Sequence, residues 1–461
     1  MNTEDPLLIA WENTVARANE RPAIVTTTGQ VLQTFGEIES RARELERLGE
    51  TNAVGSVIAI QIGNHQDWPA LFIACLRRGL VVLPLEQLMS EQQRDVALKV
   101  CDASLLVTRH DGKLEIARVK PAAGKARLHP STLLKLTSGT TAAPRIIRFR
   151  SDQLLADCNQ ICQTMGICDS DLNFGVIPMS HSYGFSNLLT PLVARAAPMV
   201  LSNDPTPRAV LADLARTNAT VLPATPFFYQ SFCEIGDAPA LPKLRLCISA
   251  GAPLTITVAK NFRGKFQLPI HSFYGASECG GICYDRDGTN EIEGFVGAPM
   301  ENVDIETLDP ASDSSQVRIR SAAVGDGYFP DPDPAKLGEG IFVPDDLLAR
   351  AGAGFKIVGR TSDLINVAGK KVNPAEIEAY LRHCRGVREA VVFGLNSARR
   401  NEEVAACVVG EDNLRENELL ESARRTLSPW QVPKRIFIVD TIPANERGKI
   451  SRRELAKRFA K

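Results

Sequence analysis

The sequence predicts an α/β protein, with a large N-terminal domain of mostly parallel, helix-covered sheets and a small α+β domain after it. Three observations predict this: two strand–helix–strand runs, buried strands ending in glycine- and hydroxyl-rich turns, and a change of pattern near residue 360. VIAIQI (57–62), QDWPALFIACLRR (66–78) and LVVLPL (80–85) form the first run. PMVLS (198–202), RAVLADLAR (208–216) and TVLPA (220–224) form the second. Strands covered on both faces read as continuous apolar segments, and a helix between two of them supplies the crossover that parallel pairing needs. LRLCIS (244–249) and PIHSFY (269–274) are further buried strands, and their carboxyl ends carry SAGAP (249–253) and FYGASE (273–278). Ligands of open α/β sheets gather at such ends.

Past residue 360 the elements shorten. Asn373-Pro374-Ala375-Glu376 reads as a helix start, with Asn as N-cap, Pro at the first helical position and an acid in the first turn. Ile377, Leu381 and Cys384 share a face, and Gly386 can end the helix. EAVVFGL (389–395), VAACVVG (404–410) and RIFIVD (435–440) read as strands, and ENELLESARRTL (416–427) as a helix. The expected domains are 1–360 and 361–461.

Composition narrows the function. Lys+Arg 53 against Asp+Glu 54 gives a net charge of −1, which argues against nucleic acid as the main partner. No run of eighteen apolar residues suggests a membrane span, and MNTEDPLLIAWENT lacks the profile of a signal peptide. Eleven cysteines without a C-x-x-C pair fit idle thiols in a reducing cytoplasm rather than a metal site. The absence of G-x-S-x-G argues against a hydrolase.

The chemistry is concentrated in LLKLTSGTTAAPR (133–145), where an apolar strand enters a loop of small and hydroxyl residues closed by a cation. Bare N–H groups and short hydroxyls suit phosphate oxygens. The loop resembles the Ser-Gly-Thr-Thr-Gly-x-Pro-Lys-Gly segment of the adenylate-forming superfamily, which includes acyl-CoA synthetases. SAGAP, FYGASE, VGRTSD (358–363) and ERGKISR (446–452) follow in the family's order. The resemblance implies the adenylate-forming enzyme fold and an acid–thiol ligase. Such an enzyme uses ATP and Mg²⁺ to turn a carboxylic acid into an acyl-adenylate, then forms a thioester with coenzyme A.

The resemblance also assigns residues. Thr137, Ser138, Gly139, Thr140, Thr141 and Arg145 would hold the β- and γ-phosphates, although Ala142, Arg145 and Ile146 depart from the family's Gly, Lys and Gly. Gly251, Ala252, Pro253, Tyr274 and Gly275 would line the adenine site. Ser277 would meet the α-phosphate, and Glu278 would associate with the metal. Asp346 and Arg360 would face the ribose, with Asp345 as a neighbouring carboxylate. Lys449 would bridge substrate carboxylate and α-phosphate, carried in by a domain that turns about Ser362 and Asp363.

His181 matches a position near the reacting carboxyl group, and Ser182 stands where amino-acid-activating relatives carry Asp. With no partner for an α-ammonium, an apolar fatty or aromatic acid is expected. Tyr183, Phe185, Phe227 and Phe228 are candidate pocket walls, and Gly280 and Gly281 leave room. Gly369 and Lys370 resemble the loop along the coenzyme A tunnel, with Lys371 beside them. Two alternatives stay open: transfer to a carrier protein's phosphopantetheine, and a non-catalytic nucleotide-binding relative.

Overall fold

The computed structural model describes residues 4–49, 52–119, 131–136, 145–202, 204–397, 401–443 and 451–460. The chain divides into two compact units. The first comprises Met1–Glu306, Arg318–Val343 and Ala351–Lys356; the second comprises Thr307–Val317, Pro344–Arg350 and Ile357–Lys461.

Two large sheets organise the first unit, each with parallel strands in its middle and antiparallel ones at its margins. In one, Val57–Gln61 lies between Val81–Pro84 and Ala103–His110, all parallel, and Val81–Pro84 takes Leu133–Leu136 as its other parallel neighbour. Leu133–Leu136 then pairs antiparallel with Ile146–Phe149, which pairs antiparallel with Gly327–Phe329. In the other sheet, Pro22–Thr26, Met199–Leu201, Asn173–Gly175, Val221–Ala224, Leu246–Ser249 and Ile270–Ala276 lie parallel in that order. Gly280–Tyr284 and Phe295–Pro299 extend it antiparallel. The change of direction follows from linker length, because three residues after Ala276 allow a hairpin but no crossover helix.

Burial explains the local choices. All four residues of Val81–Pro84 are buried, and Trp68 to Leu76 of the helix Trp68–Arg77 are buried on every face. The helix Ser151–Met165 buries Leu154, Cys158, Ile161, Cys162 and Met165, but also Gln153, Asp157 and Gln160. That mixture hides its apolar stripe in the sequence. Gly166, at φ 64°, ends it in the left-handed region.

In the second unit, the Asn373 side chain accepts the Ala375 N–H at 3.1 Å and starts the helix Pro374–His383. The helix stops at Cys384, two residues before Gly386, whose φ of 82° serves the connection instead. Val387–Ser397 and Asn401–Gly410 form a long hairpin; Arg435–Ile438 lies parallel to Asn401–Gly410, which also pairs with Ile365–Val367. Alternation along this hairpin feeds two cores. Val392, Val404 and Ala406 meet Ile377, Leu381 and Leu419 on one face. Val391, Phe393 and Cys407 meet Leu455 of the helix Arg452–Phe459 on the other. No helix among the described residues is long and apolar enough to cross a membrane.

Candidate active site

Three strand ends of the first unit define the candidate site. Leu133–Leu136 leads into the loop at 137–144, which lies outside the described residues together with Thr137, Ser138, Gly139, Thr140, Thr141 and Ala142. Leu246–Ser249 leads into the exposed Gly251, Ala252 and Pro253, with Gly251 at φ 84°. Ser249 is buried, and its hydroxyl has no hydrogen-bond partner among the described residues. Ile270–Ala276 continues two residues past the predicted strand end, so Tyr274 and Gly275 lie within the hairpin, opposite Cys283 and Gly281. Tyr274 is buried there.

The turn after Ala276 holds Ser277 and Glu278. The Ser182 hydroxyl donates to the Ser277 Oγ at 3.0 Å, and the Tyr328 hydroxyl donates to the Glu278 carboxylate at 3.0 Å. The Glu278 carbonyl accepts the Gly325 N–H at 2.9 Å, fixing the turn to the segment that carries Tyr328. The Arg145 guanidinium stacks 4.0 Å from the centroid of the Tyr328 ring and reaches the Asp333 carboxylate at 3.8 Å. A cation over an aromatic face, whose own hydroxyl bonds a carboxylate, links Arg145 to Glu278 through one side chain.

Asp157 supports this turn through its contacts with Gly281 and Ser186. Its carboxylate accepts the Gly281 N–H at 3.0 Å and the Ser186 hydroxyl at 2.5 Å. Gly280 has φ 68°, and a Cβ there would stand 2.0 Å from an Asp157 oxygen. Only glycine satisfies both conditions.

His181 is exposed and begins the short turn Ser182–Gly184, its Nδ1 accepting the Tyr183 N–H at 3.3 Å. The Tyr183 hydroxyl donates to the Ile248 carbonyl at 3.1 Å and reaches the Ala224 carbonyl at 3.3 Å, tying this turn to two strand ends. Burial pushes the Tyr183 phenol well above its usual pKa, so it stays protonated as a donor. A cavity of about 50 Å³ lies here, with Glu86, Lys135, His181, Ser182 and Ser277 among its lining residues.

The second unit holds the other candidates. Asp346 is buried and accepts the Arg360 Nε–H at 2.7 Å, so the two expected ribose residues are directly bonded. Asp345 is engaged with Thr361, whose N–H donates to the Asp345 carbonyl at 2.7 Å and whose hydroxyl reaches its carboxylate at 3.3 Å. Ser362 and Asp363 lie in the single turn Thr361–Asp363. Gly369, at φ 87°, donates its N–H to the Asn366 side chain at 2.9 Å. The Lys370 ammonium sits 3.4 Å from the centroid of the Trp430 ring. Lys449 lies outside the described residues.

The sequence model of the AMP-binding enzyme family matches residues 11–136 and 129–329, and that of the AMP-binding enzyme C-terminal domain matches residues 376–449. The chain belongs to the AMP-binding enzyme family. It is 25% identical to feruloyl-CoA synthase of Amycolatopsis sp, with 98% of each chain covered. It is 26% identical to oxalate–CoA ligase of Arabidopsis thaliana, with 88% of each covered. Among solved structures, it resembles ATP-bound MatB from Rhodopseudomonas palustris with a TM-score of 0.85 at 22% identity, covering 98% of this chain and 99% of that one. It resembles o-succinylbenzoate CoA synthetase from Bacillus subtilis, in complex with its acyl-adenylate, with a TM-score of 0.81 at 21% identity and 98% of each chain covered. The fold is that of the adenylate-forming enzymes.

In this AMP-binding enzyme the structure brings Ser182, Ser277, Glu278 and Arg145 into one connected cluster, and Asp346 and Arg360 into another. Phe185 is 1% exposed and packs edge-on against Phe72 at 5.2 Å. A Cβ at Gly280 would stand 2.0 Å from an Asp157 oxygen, and one at Gly281 would stand 2.5 Å from the Met300 sulfur, so close neighbours already account for both glycines. Phe227, by contrast, is 60% exposed and packs against Phe228 at 5.6 Å. Tyr328, Asp157 and Lys135 escaped the sequence reading. Only Lys135 left a signal there, as a lone charge between leucines in a buried strand.

Proposed function

We propose that this AMP-binding enzyme joins an apolar fatty or aromatic acid to the adenylyl group of ATP and then transfers the acyl group to the thiol of coenzyme A. In the first half-reaction a carboxylate oxygen forms a bond to the α-phosphorus and pyrophosphate leaves. In the second the thiol sulfur forms a bond to the acyl carbon, the thiol proton is lost and AMP leaves. The observation that carries this reading is the Ser182–Ser277–Glu278–Tyr328–Arg145 line at the strand ends. It offers hydroxyls for an α-phosphate, a carboxylate beside them and a cation where the phosphate loop rejoins the fold.

The remaining assignments belong to the same proposal. Thr137 to Thr141 and Arg145 hold the outer phosphates, Gly251 to Pro253 and Tyr274 the adenine, and the bonded pair Asp346 and Arg360 the ribose. Glu278 fits Mg²⁺, since that ion takes hard oxygen ligands and is held by one or two carboxylates plus substrate phosphates. When bound, it would neutralise phosphate charge. Residues 361–461 act as the mobile domain, bringing Lys449 in for adenylation and the loop at Gly369 in for thioester formation.

The named relatives act on acids as different as oxalate and ferulate, so the acid is argued from this chain's own residues. Ser182, bonded to Ser277, offers no charge to an ammonium. Acid-dependent exchange of labelled pyrophosphate into ATP over a panel of fatty, aromatic and amino acids tests the reading. Exchange with apolar acids, followed by thioester formation on addition of coenzyme A, is expected. Preferential exchange with an amino acid, or none with any acid, would overturn it.

A further inference from the structure

The strand Leu133–Leu136 carries a lysine, Lys135, in an otherwise all-leucine run. Lys135 is 5% exposed. Its ammonium lies 4.4 Å from the centroid of the Phe149 ring, with no hydrogen bond or ion pair to another described residue. Desolvating an ammonium is costly, and a methionine would fill the same space without that cost. The charge therefore calls for a use.

Its surroundings indicate which. Asp157 and Glu278 are the carboxylates that act on it at longer range, but each is engaged elsewhere, Asp157 with Gly281 and Ser186 and Glu278 with Tyr328. Lys135 also lines the cavity of about 50 Å³ that Ser277, Ser182 and His181 share, and the segment at 137–144 begins two residues further on.

We propose that Lys135 is an additional binding residue for the nucleotide, a buried fixed cation at the root of the phosphate loop whose charge attracts the phosphate groups. This rests on the functional reading above and extends it beyond the loop and Arg145. Inside a protein a charge acts over a longer range than in water, so the ammonium need not touch a phosphate to favour it. Burial lowers its pKa, while the Asp157 and Glu278 charges oppose the loss of its proton. An effect of this kind grows with the number of phosphates, whereas a packing effect does not.

The test is isothermal titration of the full chain and of Lys135→Met with adenosine, AMP and ATP, all without Mg²⁺. Adenosine binding should stay within about twofold of wild type, AMP should weaken several-fold and ATP by about tenfold or more. Equal losses for all three ligands, or no loss, would overturn the proposal. Since Lys135→Met leaves Asp157 without a balancing charge, Lys135→Met/Asp157→Asn is read against Asp157→Asn alone. The same graded loss there supports the proposal. Disappearance of the loss would make Lys135 only the counter-charge of Asp157, and failure of the double variant to fold would make it structural; both overturn the proposal. Wild type that binds nucleotides but shows no acid-dependent exchange would sink the functional reading while leaving this inference to be judged by the titrations.

Discussion

Arg452 and Asp363 are joined in the second unit by an ion pair of 2.6 Å between Nη1 and the carboxylate. The same guanidinium donates to Glu378 at 2.7 Å and to the Val392 carbonyl at 2.9 Å, and Glu378 also accepts the Val392 N–H at 2.8 Å. One planar fork thus ties the end of the proposed hinge to the helix Pro374–His383 and to the hairpin, from a position three residues after Lys449. Glu378 is buried, so removing its partner leaves an uncompensated charge. Arg452 and Asp363 remain partly exposed, which reduces the effect. Arg452→Ala should destabilise the second unit by about 2 kcal/mol. Asp363→Asn should cost less, because Arg452 keeps Glu378. Urea unfolding followed by fluorescence of Trp430, which lies in this unit, measures both; a smaller loss for Arg452→Ala than for Asp363→Asn would refute the ranking.

The link from Arg145 through Tyr328 to Glu278 makes two substitutions separable. Tyr328→Phe keeps the ring under Arg145 and removes only the hydroxyl bonded to Glu278. A hydrogen bond to a charged group is worth about 1.5–3 kcal/mol, so pyrophosphate exchange should fall roughly tenfold to a hundredfold with no change in fold. Arg145→Ala should weaken ATP and pyrophosphate by a similar factor yet spare thioester formation from supplied acyl-adenylate. Arg145→Lys keeps a charge for phosphate but loses the planar stack, so it should fall between the two. Steady-state kinetics in ATP and pyrophosphate decides; a Lys variant equal to wild type would show that the stack contributes nothing.

The parallel units were legible in the sequence because Val57–Gln61 and Val81–Pro84 are covered on both faces and read as unbroken apolar runs. The turn at Ser277 and Glu278 was legible from its motif. What hid was decided by contacts distant along the chain. Asp157 meets Gly281 from 124 residues away, and Tyr328 meets Glu278 from 50. No local pattern records such pairs. The packing of Phe185 against Phe72 was hidden in the same way, since the motif around Phe185 gives no sign of that distant partner.

The proposed function gives Lys449 a role in the first half-reaction and the loop at Gly369 one in the second. Lys449→Ala should nearly abolish adenylate formation, measured by pyrophosphate exchange, and leave thioester formation from supplied acyl-adenylate within about threefold of wild type. Equal losses in both halves, with unfolding unchanged, would remove the lysine from its assigned role.

Gly280 separates two explanations of the same residue. If it made room for the acyl group, Gly280→Ala would change the order of preference among acids and leave stability largely intact. The structure argues otherwise, because φ is 68° and the new Cβ would fall 2.0 Å from an Asp157 oxygen. A left-handed backbone costs a non-glycine residue about 1–2 kcal/mol before any displacement of Asp157 is counted. Displacement would also disturb the Gly281 N–H bond and, through it, the turn that presents Glu278. Gly280→Ala should therefore lower the unfolding free energy by about 2 kcal/mol or more and reduce exchange with every acid by a common factor. Unfolding measured beside exchange rates for a short and a long acid separates the two explanations. A change in the ratio of the two rates at unchanged stability would return Gly280 to the pocket.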